Sequence, residues 1–279
     1  MKYFAATALI LFGLAACSGP GAVSPRKALM YEVPETPTLT YVSEASQDVI
    51  VDAGAMGTME IQGSSDITMA MTFASAENGM EVTVEFQELT ASLNNPMGAP
   101  ETASESDIEG PLVFTMDGMG RGTVVSTPEV KGSAEQLVRP AGLAYEFFPR
   151  LPGDVTEPGA MWTDTTAYEL PAEGGMIASE SITTYTLVGD TAVDGVTLLK
   201  ITYEGEAEAV AEAVTQGMEV IQSFSGDVVG MFLFDPARGV MVYNESSQDL
   251  DGTTEVPAAG IPPMPMSVTG TSTVWLQGG

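Results

Sequence analysis

One thiol, Cys17, closes the run Leu14-Ala15-Ala16-Cys17 and is the single cysteine of 279 residues. Lys2 and an apolar run from Phe4 to Leu14 precede it, as the n-region and h-region of a secretory signal peptide precede a cleavage site with small residues. That run is too short to span a bilayer as a stable helix. The other groups with chemical potential are carboxylates, 38 Asp+Glu against 9 Lys+Arg, for a formal net charge of −29. Asp190, Asp194-Gly195 and Asp249-Leu250-Asp251-Gly252 set acids beside expected turns, where a hard cation would want them. Neither cluster has EF-hand spacing, since Ala258 stands where the twelfth-position Glu would be, and Asx-turn chemistry accounts for the same residues. A paired-carboxylate glycosidase site has no specificity among so many acids.

Absences narrow the chemistry further. With no His there is no Ser–His–Asp triad, no Cys–His pair, no imidazole metal ligand and no imidazole pH switch. One Cys leaves no intrachain disulfide and no multi-cysteine zinc site. The negative charge opposes nucleic acid, whose binding needs Lys and Arg on phosphates. Gly118-Met119-Gly120-Arg121-Gly122 is not followed by the helix that a phosphate loop uses and reads as a hairpin turn. At 44% apolar content the chain reads as folded, acidic, non-enzymatic and without a cofactor.

The elements are strands. Ile67, Met69, Met71 and Phe73 alternate with Thr68, Ala70 and Thr72; beyond Asn78-Gly79, Met80, Val82, Val84 and Phe86 alternate with Glu81, Thr83 and Glu85. Period-two alternation on both sides of Asn-Gly predicts a hairpin with one apolar and one solvated face. Similar pairs recur at 112–116 with 123–127, 181–188 with 196–203 and 228–234 with 240–245, and strands are expected near 39–51, 161–170 and 266–276. The set predicts a mainly β fold, a large curved antiparallel sheet of roughly eleven or twelve strands with one or two short helices. Ser133–Phe148 is the better helix, with Ser133 and Gln136 as a capping box and a break at Pro140. Residues 206–216 suit either a helix or a strand. The 94–110 stretch is a Pro-rich acidic loop without periodicity.

The position of Cys17 resembles the lipobox of bacterial lipoprotein precursors. That resemblance implies a signal peptide over 1–16, diacylglycerol on Cys17, cleavage before it and acylation of the new amine, which anchors the chain in a membrane by its acyl chains. Ser18, rather than Asp, implies export to the outer membrane by the sorting rule of enteric bacteria. Residues 17–37 are expected as lipidated Cys and flexible tether, and 38–277 as one β-rich domain with halves 38–132 and 161–277 joined by 133–160. Phe148-Pro149-Arg150-Leu151-Pro152 with Val155, Gly159 and Trp162 is similar to a junction in uncharacterised bacterial lipoproteins with two β-rich halves. The layout also resembles the LolA and LolB type of periplasmic β-clam, in which a curved sheet half-encloses an apolar cavity. That resemblance implies an apolar small molecule, lipid or lipidated partner as ligand. Seventeen Met suit variable apolar ligands or an irregular core. The expected ligand face is Met69, Met71, Phe73, Met80, Val82, Val84 and Phe86, with Phe147 and Phe148 from the helical segment. The alternative is a non-enzymatic envelope interaction protein whose core is filled.

Overall fold

The computed structural model describes residues 28–278 apart from 55–56, 97, 133, 173–174, 216–217 and 261. Cys17, the leader and the capping residue Ser133 lie outside the described residues. Strands β1 (Thr38–Asp52), β2 (Thr58–Ala76) and β3 (Gly79–Asn94) come first, and the short strands β4 (Glu101–Ser104), β5 (Ile108–Glu109), β6 (Leu112–Met116), β7 (Gly122–Ser126) and β8 (Glu129–Val130) follow. Next come helices α1 (Ala134–Leu137) and α2 (Leu143–Glu146), with a 3-10 turn at Pro140–Gly142 between them. The long strands β9 (Met161–Ala172), β10 (Gly175–Val193), β11 (Val196–Thr215), β12 (Met218–Asp235), β13 (Val240–Glu255) and β14 (Met264–Leu276) complete the chain.

One antiparallel sheet runs β7-β6-β3-β2-β1-β14-β13-β12-β11-β10-β9, with β4 added beside β3, and it curls into a half-barrel. The two β-rich halves are therefore continuous: β1 pairs with β14 from Tyr41↔Leu276 to Val51↔Met266. Residues 206–216, open between helix and strand, belong to β11 up to Thr215, where Ala207, Ala209 and Ala211 alternate with Glu206, Glu208 and Val210. Asp249, Asp251 and Gly252 lie inside β13 rather than in a turn, opposite Asp227, Ser225 and Phe224. The 94–110 stretch carries β4, a 3-10 turn at Glu105–Asp107 and β5. Pro140 divides the helical segment, as a residue that lacks N–H and clashes with the preceding turn must.

One end of the half-barrel is packed solid. It carries the β2–β3, β6–β7, β10–β11 and β12–β13 turns and the outer ends of β1 and β14. Tyr41, Met69, Met71, Val82, Val84, Phe114, Ile201 and Phe232 are wholly buried there from the sheet side, and Phe147, Phe148 and Leu151 enter from the helical segment. Phe148 touches the rings of Tyr31, Tyr41, Phe73, Phe114 and Phe147 at centroid distances of 4.8–6.5 Å. Part of the expected tether belongs to this core. Leu29 and Tyr31 are buried, because the aromatic gap at this end supplies more burial than water does.

The end strands β7 and β9 do not pair; the segment between them bridges the gap. Arg150, 5% exposed, donates from Nη1 to the carbonyls of Gly120 and Phe148, and from Nη2 to Tyr145 O (2.7 Å) and Thr166 Oγ1 (3.2 Å). Arg121 beside β7 forms an ion pair with Asp164 of β9.

The convex face is mainly polar, with Ile50, Ile182, Val210 and Val229 exposed on it, and carries opposed carboxylates: Glu44↔Asp66, Glu180↔Glu208, Glu206↔Asp227 and Asp227↔Asp249. Like charges opposite one another destabilise a sheet and are relieved by screening. Thermal unfolding followed by circular dichroism should therefore show Tm rising as NaCl goes from about 0.02 to 1 M. Asp227→Asn, which removes two such oppositions, should stabilise by ~0.5 kcal/mol at low salt and by less at high salt. Arg150→Met strands several buried carbonyls and should cost ~3 kcal/mol or more in urea unfolding, with faster amide exchange in β7 and β9.

Candidate functional site

Above the packed end, the concave face changes character. One row across the sheet reads Ser65, Ala45, Ser272, Ser246, Gly230, Tyr203, Tyr185 and Trp162. The next reads Gly63, Gln47, Gly270, Gln248, Val228, Gly205, Thr183 and Asp164. Farther along, Val51, Met266, Val268, Leu170 and Ile177 are buried again. The interior is thus two apolar layers with a belt of hydroxyls, amides and small residues between them.

Two connected hollows occupy that belt. The larger, about 540 Å³, has Phe147, Phe148, Leu143 and Tyr185 at its apolar floor and Ser179, Ser181, Thr183, Asn244, Ser246 and Ser272 along its walls. The smaller, about 260 Å³, continues it over Gln47, Gly63, Ser65 and Gly270, sharing Val228, Ser246, Gln248 and Ser272. Gln47 lies flat across Gly63, where a Cβ would come 2.9 Å from its side chain. The belt's residues are mostly neutral, while the carboxylates of the long strands are mainly on the convex face.

Charge enters the trough mainly from the bridging segment. Glu146 of α2 accepts a hydrogen bond from the Tyr168 hydroxyl, and Tyr168 stacks on Tyr145 at 4.8 Å and 11°. Arg139 and Arg150 act electrostatically on Glu146. Water reaches Glu146 through the hollow, yet protein surrounds it on most sides, and this desolvation pushes its carboxyl above the usual carboxylate range. Desolvation likewise raises Tyr168, with the neighbouring Glu146 charge adding to it. Tyr203, farther along the belt, is pushed up to about 12 chiefly by burial. A phenol and a carboxyl held together in this way can share a proton or grip a polar group. Among the described residues, no group of three acidic, His or Cys side chains could hold a metal ion.

The expected ligand face is placed differently from the trough. Met69, Met71, Phe73, Met80, Val82 and Val84 are buried in the filled end, and Phe86 is partly buried against it. Phe147 and Phe148 alone of the nine also line the larger hollow. Sequence reasoning passed over the Ser, Gln and Gly positions of β1, β13 and β14 and the Glu146–Tyr168 pair. A signal existed: Ser43, Ala45 and Gln47 continue the inward period of Leu39 and Tyr41 with small and polar residues.

No family model matches this sequence, and no curated protein matches it. Among solved structures, Pseudomonas aeruginosa OpdQ is similar at 11% identity over 86% of this chain and 99% of that one, with a TM-score of 0.24. P. aeruginosa OccK2 (OpdF) is 7% identical over 87% and 98% at 0.23, and OccK8 (OprE) 10% over 86% and 98% at 0.21. Likeness this slight carries no argument about what the chain does. Among the described residues, no helix is long and apolar enough to cross a membrane.

The raised Glu146 has a thermodynamic consequence. The folded protein holds this proton more tightly than the unfolded chain, so the group's contribution is most favourable at low pH and is lost as pH climbs through the raised folded value. Glu146→Gln keeps an acceptor for Tyr168 without the charge. Its stability relative to the parent, measured by urea unfolding, should grow from about pH 4 to about pH 7.

Proposed function

We propose that this chain is a lipid-anchored protein of the bacterial cell envelope whose half-barrel holds a small amphiphilic molecule, or the acyl chain of a lipidated partner, in its concave trough. The observation that carries this reading is the hollow of about 540 Å³ with an aromatic floor and neutral hydrogen-bonding walls. Its size falls in the range of small-molecule sites, which combine apolar surface with a few polar groups. An apolar chain would lie on Phe147, Phe148, Leu143 and Tyr185. The polar part would meet Ser246, Gln248, Asn244 and the Glu146–Tyr168–Arg139 corner. The mouth is wide and hydroxyl-lined, which suits loading and release better than permanent storage.

Anchoring is argued from Leu14-Ala15-Ala16-Cys17, and the outer membrane from Ser18. A second reading, an envelope interaction protein with a filled core, has one observation in its favour. The Met-rich face expected to hold ligand is packed against its own chain.

The test is native mass spectrometry and lipid extraction of full-length protein purified from membranes, beside Ser246→Trp and Ala207→Trp, which fill the trough. The expected result is a bound molecule and saturable uptake of a fluorescent fatty-acid probe in the parent, both reduced at least tenfold in the filled variants. Absence of both in the parent would overturn ligand binding. A crosslinked protein partner retained by the filled variants would then favour the second reading. Cys17→Ser should move the protein from the membrane to the soluble fraction.

A further inference from the structure

The segment that follows the lipidation region does not leave the fold at random. Leu29 N donates to Asp154 O (3.0 Å) and Leu29 O accepts from Gly153 N (3.1 Å). Tyr31 N donates to Gly118 O (2.7 Å), Glu32 N to Gly239 O (3.0 Å), and Pro37 O accepts from Phe73 N (2.8 Å). The Tyr31 hydroxyl donates to Pro149 O (2.9 Å), and its ring meets Phe148 and Phe234 edge-on at 5.3 and 5.5 Å. Residues 28–37 are thus a strap sewn across the β6–β7 turn, the β12–β13 turn and the 149–154 segment. Two turn glycines are shaped to it. At Gly120 (φ +89°) a Cβ would lie 2.9 Å from the Tyr31 ring, and at Gly239 (φ +68°) 2.7 Å from Glu32 Cβ.

All of these contacts are at the packed end, so the chain enters the half-barrel from that end. Cys17 lies only twelve residues before Leu29, a span of at most roughly 40 Å even when fully extended. The charge distribution points the same way. The stretches 44–66, 88–107, 168–182, 204–229 and 245–272, which make up most of the far part of the sheet, contain no Lys or Arg; Lys131, paired with Glu109, and Arg139 flank the helix α1 that packs on β3 and β4 there. Arg26 and Lys27 precede the strap; Arg121, Lys200 and Arg238 belong to the packed end. The packed end carries acids too, among them Glu77, Glu81, Asp190, Asp194 and Asp235, but mixed with these cations, so an anionic lipid surface repels it less than the far part within a Debye length of about 8–10 Å.

We infer that the half-barrel stands on its membrane by the packed end, with the strap fixing that polarity and the long acidic hairpins directed away from the lipid. The inference rests on anchoring through Cys17. The partner surface is an anionic bilayer, and the trough mouth then opens into water above it. A bound molecule has to leave the bilayer to enter the trough, and the far hairpins are the part free to meet anything across the aqueous gap.

The experiment places a donor fluorophore on full-length lipidated protein at Ala237→Cys, in the β12–β13 turn, or at Ala258→Cys, in the β13–β14 connection. The protein is reconstituted in phosphatidylglycerol-containing vesicles bearing a headgroup acceptor dye. The two positions are separated by the length of β13, roughly 50 Å at ~3.4 Å per residue. Transfer should be strong from 237 and at least severalfold weaker from 258. Equal or reversed transfer from protein that floats with the vesicles would overturn the orientation. Failure to float would overturn the anchor alone. In Leu29→Ala/Tyr31→Ala, with β structure retained by circular dichroism, the contrast should collapse; a contrast kept in that folded variant would overturn the role of the strap.

Discussion

A single buried guanidinium decides whether this sheet has a shape. Eleven strands in one path leave β7 and β9 as unpaired ends, and an open edge is both a source of slack and a template for unwanted pairing. Arg150 spans the interval by donating to carbonyls on the β6–β7 side and in the helical segment, and to a hydroxyl on β9. Its hydrogen-bond partners are neutral, so the cation is held mainly by the chain's own carbonyls, with Glu146 acting on it through space. Arg121 and Asp164 add a more exposed second clasp. The aromatic plug, the hollow above it and the position of Glu146 all depend on these two ends being held at a fixed distance.

That distance explains why there is a hollow at all. Barrels of about eight strands can be filled by their own inward side chains, and wider ones leave space. Here Phe147, Phe148 and Leu151 are inserted from the bridging segment, with Leu29 and Tyr31 from the strap, to fill one end. These groups do not extend to the level of Ser246 and Gln248, so the space there stays open. A continuous apolar lining around open space would be poorly hydrated. Residues such as Ser65, Ser272, Ser246 and Thr183 suit a surface that alternates between water and a guest.

Much of the architecture was legible because local and global preferences agree. The alternations around Asn78-Gly79 predict the β2–β3 hairpin and its buried face, and Pro140 predicts the break between α1 and α2. Legibility failed where a period conveys direction without depth. Met69 and Ser272 both point inward, but only the distance to Phe148 determines that one is sealed and the other wetted. The Ala-Glu alternation of 206–213 suited either element until β10 and β12 supplied partners on both sides. Tyr31 looked like tether because nothing in a Gly- and Pro-rich context marks a lone aromatic as a plug. Its burial depends on Phe148 and Phe234, more than a hundred residues away.

The two faces of the sheet impose opposite demands, and their separation limits what the molecule can be. Carboxylates opposed at Glu206, Asp227 and Asp249 raise the energy of the folded state, and a protein tolerates that only where water and counter-ions surround them. The carboxylate rows of the convex face are therefore favoured in contact with water, with Ile50, Ile182, Val210 and Val229 exposed between them. The concave face is nearly free of such charge and is the place where an apolar or neutral group can be received without desolvating an anion. Adding carboxylates outside leaves the trough's chemistry largely unchanged because the sheet lies between them. A chain under pressure to stay dispersed could become this acidic and still keep a neutral interior, with Glu146 as the principal acid on the bridging helix at the trough. Its raised pKa marks a point at which the outer surface's charge preference conflicts with the interior's.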